Sequence, residues 1–171
     1  MSIFYIDKFI EIINEIQYAT LATVSSLGEP YNAPVFAAFD NELNFYWSSS
    51  SKSQHSQNID NNGKVFIVIY KSIVEQGTGW GAYIKLEAAP ASQSEVDKAL
   101  ILLGNRRGRP FTNANDFGDN GIQKIYKARS IKVWINDAKK DVYGEYVEDY
   151  REELDVMRIR RSLHMQNKKA A

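Results

Sequence analysis

From residue 18 to residue 50 the chain offers three apolar segments joined by connections of only a few residues, and this spacing restricts the fold more than any other feature. YATLATVSS, rich in β-branched and small residues, closes on Leu27-Gly28-Glu29-Pro30, a turn signal. YNAPVFAAFD and LNFYWSSS follow, with Asp40-Asn41-Glu42 between them at hairpin length. Parallel neighbours would need a crossover of roughly a dozen residues or more, which these connections cannot supply. The segments therefore predict an antiparallel meander.

The rest of the chain extends the pattern. Lys64–Tyr70, KVFIVIY, is nearly all apolar and reads as a strand covered on both faces. A glycine-punctuated loop, EQGTGWG, leads into the strand AYIKLEAAP, and KIYKARSIKVWIN at 124–136 reads as the last strand. Ile3, Ile6, Phe9, Ile10, Ile13 and Ile16 recur at helical spacing, which predicts an amphipathic helix covering one end of the sheet. Residues 94–103 repeat that period with Val96, Ala99, Leu100 and Leu103. NRRGRPFTNANDFGDNG is a long polar insertion, of a length that is uncommon unless functional or mobile. From Glu148 the chain is charged and helix-permissive, and a partly disordered tail is expected from about residue 156. The length of 171 residues suits a single domain. Six strands with short turns behind a long leading helix predict a mainly β fold with flanking helices, an antiparallel barrel rather than a sandwich.

Composition removes several classes of function. Lys plus Arg equals Asp plus Glu at 21 each, so no charge excess favours nucleic acid or a membrane surface. There is no cysteine, which excludes disulfides, zinc–thiolate sites and a cysteine nucleophile. The opening MSIFYIDKFIEIINEIQ is amphipathic and contains acids, unlike a secretory signal, and no apolar run is long enough to span a bilayer. A cytoplasmic location is the expectation.

Residues 48–59, SSSSKSQHSQNI, place many hydroxyls directly after the apolar run Phe45-Tyr46-Trp47. Ser53, or Ser51 in competition with it, suits the N-cap of a short helix reaching about Asn61. A helix start gathers unpaired N–H groups and a positive partial charge, which suits phosphate. Ser48, Ser49, Gln54 and His55 could add donors, and His55 could carry charge near neutral pH. The same residues also read as a polar loop with a capped helix. Trp80, between Gly79 and Gly81, suits either stacking on a planar ligand or filling the barrel end. Trp134, within KVWIN, reads as core or interface, with an indole N–H that can serve a ligand. Arg106, Arg107 and Arg109 could contact a phosphate or nucleic acid, but as a short, isolated group in a neutral chain they read as a solvated loop. No Gly-x-Ser-x-Gly elbow, paired-His metal motif or phosphate loop of the Gly-Lys-Ser/Thr kind is present, so any chemistry falls to a bound cofactor.

In their order and spacing, ATLATVSSLGEPYNAPVFAAFD, FYWSSSSKSQHSQNI, KVFIVIYKS, GTGWGAYIKLEA and KIYKARSIKVWINDAKKDVYGEYVEDYR resemble the pyridoxamine 5′-phosphate oxidase-related family of FMN-binding split barrels. The resemblance runs from about Ala19 to Arg151, and Ser-x-His-x-x-Asn-Ile is its most specific part. It implies a six-stranded antiparallel split β-barrel acting as a homodimer with FMN in two interfacial clefts. By the same resemblance, the strand with Asn32, Pro34, Val35 and Phe36 would run beside the isoalloxazine. Ser48, Ser49, Ser50, Ser53, Gln54 and His55 would hold the phosphate, Trp80 and Gly81 would approach from the partner subunit, and Trp134 would lie near the ring.

Two departures bear on activity. Pyridoxamine phosphate oxidases carry Ser-Arg-Lys where this chain has Ser53-Gln54-His55, and Arg-Leu-His-Asp-Arg after the tryptophan where it has INDAKKDVYGEYVEDYR. The resemblance thus implies an FMN-binding oxidoreductase of unknown substrate rather than a pyridoxamine 5′-phosphate oxidase. A non-catalytic flavin carrier or sensor, or a split barrel that uses a deazaflavin or haem, is the alternative.

Overall fold

Along β1 (Tyr18–Val24) and β4 (Lys64–Tyr70) every second residue is buried, so each strand has an inner and an outer face. The computed structural model describes residues 3–111, 117 and 123–170. In it α1 (Ile3–Glu15) and β1 are followed by β2 (Pro30–Phe39), β3 (Asn44–Ser50), α2 (Gln54–Asn62), β4 and β5 (Gly81–Pro90). Then come α3 (Gln93–Arg107), β6 (Gln123–Lys140), β7 (Tyr146–Leu154) and α4 (Val156–Ala170).

All pairings between these strands are antiparallel, in the order β3-β2-β1-β4-β5-β6-β7. A further pairing of β3 with β6 closes the first six into a barrel and leaves β7 appended. The 18 residues of β6 make this possible, because Gln123 to Arg129 face β3 while Val133 to Lys140 face β7.

The interior is apolar. Trp47 stacks on Tyr126 with centroids 5.9 Å apart, and α1 contributes Phe9, Ile10 and Ile13 to the same cluster. A second cluster forms outside the barrel, where Val96, Ala99, Leu100 and Leu103 of α3 cover Ala38, Tyr46 and Ile125. The β2–β3 turn is fixed by Asp40, whose carboxylate accepts from Asn44 N at 2.9 Å, Tyr46 OH at 3.0 Å and Lys98 Nζ at 2.6 Å. Leu43 takes a left-handed φ of 55° in this turn, and its fully buried side chain offsets that strain.

Three expectations change. Within one chain KVFIVIY is covered only on its inner face, because it pleats with Val65, Ile67 and Ile69 inward, leaving Phe66 and Val68 half-buried and Tyr70 exposed. Of the charged segment from Glu148, the part up to Leu154 belongs to a seventh strand rather than a helix, since Asp141 and Gly144 turn the chain back onto β6, whereas the part from Val156 is helical. That helix is α4, which buries Ile159 and Leu163 in the main core. Arg106 is not in a solvated loop: at the end of α3 it is half-buried and donates to Ile13 O at 2.6 Å and Ile16 O at 2.5 Å, closing the last turn of α1. Residues 112–116 and 118–122 of the polar insertion lie outside the described residues. Among the described residues no helix is long and apolar enough to cross a membrane.

Candidate functional site: the split between β2 and β3

β2 is paired with β1 from Pro30 to Phe36, but with β3 only at Ala37, Ala38 and Phe39. β3 stays paired with β6 as far as Ser50. The two strands therefore part beyond the Ala37–Trp47 pair, and a cleft opens with residues 30–36 on one wall and Ser48, Ser49 and Ser50 on the other. The β2 backbone along this wall has an edge that no described strand covers, so its polar groups are available to a ligand. Asn32, Pro34 and Phe36 share the outer face with Ala22, Thr20 and Tyr18, their partners on β1, whereas Val35 is turned into the core.

At the end of this cleft lies the start of α2. Ser53 is the N-cap, yet its hydroxyl makes no cap bond and instead donates to Ser50 O at 2.9 Å. The first intrahelical bond runs from Gln57 N to Ser53 O, so the amides of Gln54, His55 and Ser56 precede it. His55 Nε2 lies 2.8 Å from Ser49 Oγ and 3.1 Å from Ser53 Oγ, and Ser53 Oγ is 2.9 Å from Ser56 Oγ. Three hydroxyls and an imidazole are thus gathered at a helix N-terminus. Burial lowers the His55 imidazole below its ordinary pKa, which favours the neutral ring in the free protein.

The remaining predicted phosphate donors are arranged differently. Successive strand residues face opposite sides, so Ser48 and Ser50 do not share the face of Ser49. Ser50 Oγ accepts from Lys52 N at 3.2 Å, and the Gln54 amide donates along the helix to Asn58 Oδ1 at 2.9 Å. Asn58 in turn donates to Thr23 Oγ1 at 2.9 Å, and Ile59 enters the main core, which together fix α2 against β1. Ser56, Asn58 and Thr23 went unassigned in the sequence because their partners lie on other elements or become neighbours only once α2 forms.

Trp80, Gly81 and Trp134 do not meet the hydroxyl cluster within one chain. Trp80 packs against Phe4, with centroids 5.8 Å apart, and against Tyr5, which favours the barrel-end reading of this residue. The Asn136 side chain accepts from Gly81 N and donates to Gly79 O, clamping the loop. Since β4 starts beside α2 and its end, Tyr70, pairs with Gly81, the Trp80 loop lies at the opposite end of the barrel. There Trp80, Tyr83, Tyr150 and Arg151 line a cavity of about 720 Å³. Trp134 points outward from β6 and stacks on Phe66 at 6.1 Å, on the same outer face as Asn32 and Pro34.

No protein-family model matches the sequence, and no curated protein matches it. Solved structures do match in shape. A candidate 5-nitroimidazole antibiotic resistance protein from Bacteroides thetaiotaomicron aligns with a TM-score of 0.63 at 15% identity, over 75% of this chain and 81% of that one. A haem binding protein from Mycobacterium smegmatis aligns at 0.62 and 15% identity over 86% of this chain, which spans only 57% of that longer protein. An F420 reductase aligns at 0.55 and 19% identity, over 72% of this chain and 93% of that one. Likeness at these identities establishes architecture and leaves the ligand to be argued from the residues. The closed six-stranded barrel, the parting of β2 from β3 and these likenesses give one result: the chain has the split-barrel fold of pyridoxamine 5′-phosphate oxidase-like proteins.

Proposed function

We propose that the protein binds FMN in the split between β2 and β3 and serves as an FMN-dependent oxidoreductase in the form of a homodimer. The observation that carries the reading is the joining of two features: an uncovered strand edge at residues 30–36, and a hydroxyl–imidazole cluster at the start of α2. The amides of Gln54, His55 and Ser56, with Ser49, Ser53 and His55, suit a monophosphate. A dinucleotide would be expected to come with a glycine-rich fingerprint, which the sequence lacks. The β2 edge suits the polar rim of a flavin ring, and Asn32, Pro34 and Phe36 flank it on the outer face. When bound, FMN supplies hydride or electron transfer, and the chain positions it and limits access.

The dimer is supported by the outer face of β1, β4 and β5. Tyr18, Val24, Phe66, Val68, Tyr70 and Tyr83 make it largely apolar, and a patch of this kind is normally covered by another subunit. A second reading, haem or a deazaflavin, is favoured by the ligands of two structural neighbours. Haem needs an axial ligand. Of the two histidines, His55 Nε2 is engaged by Ser49 and Ser53, and His164 Nε2 lies 2.7 Å from Glu42. FMN is the better fit.

Fluorescence titration with FMN, riboflavin and FAD, alongside an absorbance titration with haemin, tests the proposal. FMN is expected to bind at one per chain and more tightly than riboflavin. Binding of FAD or haem without FMN overturns it. The FMN-loaded protein is not expected to oxidise pyridoxamine 5′-phosphate, because Lys139, a cation following Trp134, is paired with Glu148.

A further inference from the structure

Directly opposite Ser49 in the β3–β6 ladder stands Lys124, near the start of β6. Opposite residues of an antiparallel pair share one face of the sheet, with Cβ atoms roughly 4.5–5.5 Å apart, so the lysine stem rises beside the Ser49 side chain. The next pair on that face is Trp47 with Tyr126, both in the main core. Lys124 therefore sits at the mouth of the barrel, on the side where Ser49 meets His55 of α2. It is half-buried, yet among the described residues it makes no hydrogen bond and no ion pair. Cations drawn partly out of water are normally paired. A second polar group nearby also lacks a partner: the Tyr126 hydroxyl is fully buried and makes no hydrogen bond, with the Ser56 hydroxyl as its polar neighbour. The charge of Asp60, on α2, reaches Tyr126, but Asp60 forms no ion pair with Lys124.

The cluster at the start of α2 supplies hydroxyls and amides but no formal charge. Gln54 is neutral, and burial favours the neutral His55 ring. A phosphate monoester brings about two negative charges at neutral pH. We infer that Lys124 is the cation of the phosphate site, its ammonium set against the anion that Ser49, His55 and the first amides of α2 hold. This rests on the FMN reading above and deepens it: the charge that residues 53–55 lack comes from a neighbouring strand. The flexible four-carbon stem lets the Nζ reach past Ser49 while the strand fixes its root. Lys52 is the competing cation. It lies in the connection between β3 and α2 and is exposed, and no ladder holds it against the cluster. Register, by contrast, holds Lys124 to Ser49.

Fluorescence titration of the parent, Lys124→Met, Lys124→Arg and Lys52→Met with FMN and with riboflavin, at low and high salt, tests the assignment. Lys124→Met is expected to weaken FMN about tenfold or more and to leave riboflavin nearly unchanged. It should also lessen the fall of FMN affinity with added salt, and Lys124→Arg should recover most of the loss. Lys52→Met should cost FMN less than Lys124→Met. A second measurement needs no variant: acetylation of the parent by acetic anhydride, mapped by mass spectrometry, should slow at Lys124 with FMN bound and not with riboflavin. A parent that prefers FMN to riboflavin, with that preference intact in Lys124→Met or with Lys124 acetylated equally fast beside either ligand, overturns the lysine and leaves the phosphate site standing. A loss in Lys52→Met as large as in Lys124→Met overturns it too, by moving the charge to the connection. Equal affinity of the parent for FMN and riboflavin overturns both the lysine and the phosphate site.

Discussion

Gly63→Ala tests how α2, which carries the hydroxyl cluster at its start, is held at its end. Gly63 is the C-cap, with φ 65°, and its N–H bonds Ile59 O at 2.8 Å. A side chain in the left-handed region costs roughly 1–2 kcal/mol. At this site an added Cβ would also meet Ala88 O at 2.9 Å, closer than real Cβ atoms approach a backbone oxygen. The two strands cannot part freely, because Ala88 N donates to Gly63 O at 2.8 Å. Loosening that bond adds roughly 0.5–1.5 kcal/mol. The variant should lose about 2–3 kcal/mol, and for a domain of this length that lowers Tm by roughly 5–10 °C. Gly28→Ala is the control: its φ is 84°, but an added Cβ meets nothing within 4 Å, so only the backbone strain applies. Thermal and urea unfolding of both variants beside the parent decide the matter. If Gly63→Ala loses no more stability than Gly28→Ala, the contact with Ala88 has been misjudged and the argument fails.

Four other outcomes are expected. His55→Ala should weaken FMN about tenfold or more while leaving riboflavin nearly unchanged, since a hydrogen bond to a charged group contributes ~1.5–3 kcal/mol; equal losses would move His55 away from the phosphate. Because burial lowers its pKa in the free protein and a phosphate dianion would favour the protonated ring, FMN affinity should rise as pH falls toward the imidazole range, with the slope smaller in the variant. Burial by itself would raise the Asp40 carboxyl, but hydrogen bonds from Lys98 and Asn44 outweigh it and hold the pKa low. Its folded pKa being depressed, its contribution is present above the unfolded value near pH ~4 and is lost as pH falls through the folded one. Asp40→Asn should therefore flatten the acid limb of a stability–pH curve, and an unchanged limb would show that other carboxyls set it. Arg106→Met should destabilise by about 1.5–3 kcal/mol by freeing the carbonyls of Ile13 and Ile16, read as a lower urea midpoint; an unchanged midpoint would mean that the guanidinium closes nothing.

Local pattern was enough for much of this architecture. The β-branched and small residues of YATLATV and the apolar run KVFIVIY specify strands, and the hairpin-length connection at Asp40-Asn41-Glu42 specifies antiparallel neighbours. The isoleucine spacing in residues 3–16 specifies α1, and Ser53 marks the start of α2, because caps and periods are set by residues adjacent in sequence. The β7 strand was not legible: Tyr146–Leu154 is charged and exposed along nearly its whole length, so it has no apolar alternation and is a strand only because β6 is long enough to pair with it. The helix-permissive composition of the tail foreshadowed α4, but its charge hid the anchoring of Ile159 and Leu163 in the core.

The candidate site divides in the same way. Its residue types were visible as a run of hydroxyls before a helix. Which of them converge depended on pleat and burial: Ser49, Ser53 and His55 meet, Ser48 and Ser50 face away from Ser49, and half-burial lowers the pKa of the imidazole. The guanidinium of Arg106 reads as solvated in a string of polar residues and is a helix closure in three dimensions. The cleft itself belongs to the tertiary structure alone. Nothing in PYNAPVF says that its pairing with β3 stops at Ala37, and that stop is imposed when β3 turns away to close the barrel on β6. The sequence determined the strands, the caps and the residue chemistry, which depend on near neighbours; closure of the sheet decided which of those residues face one another.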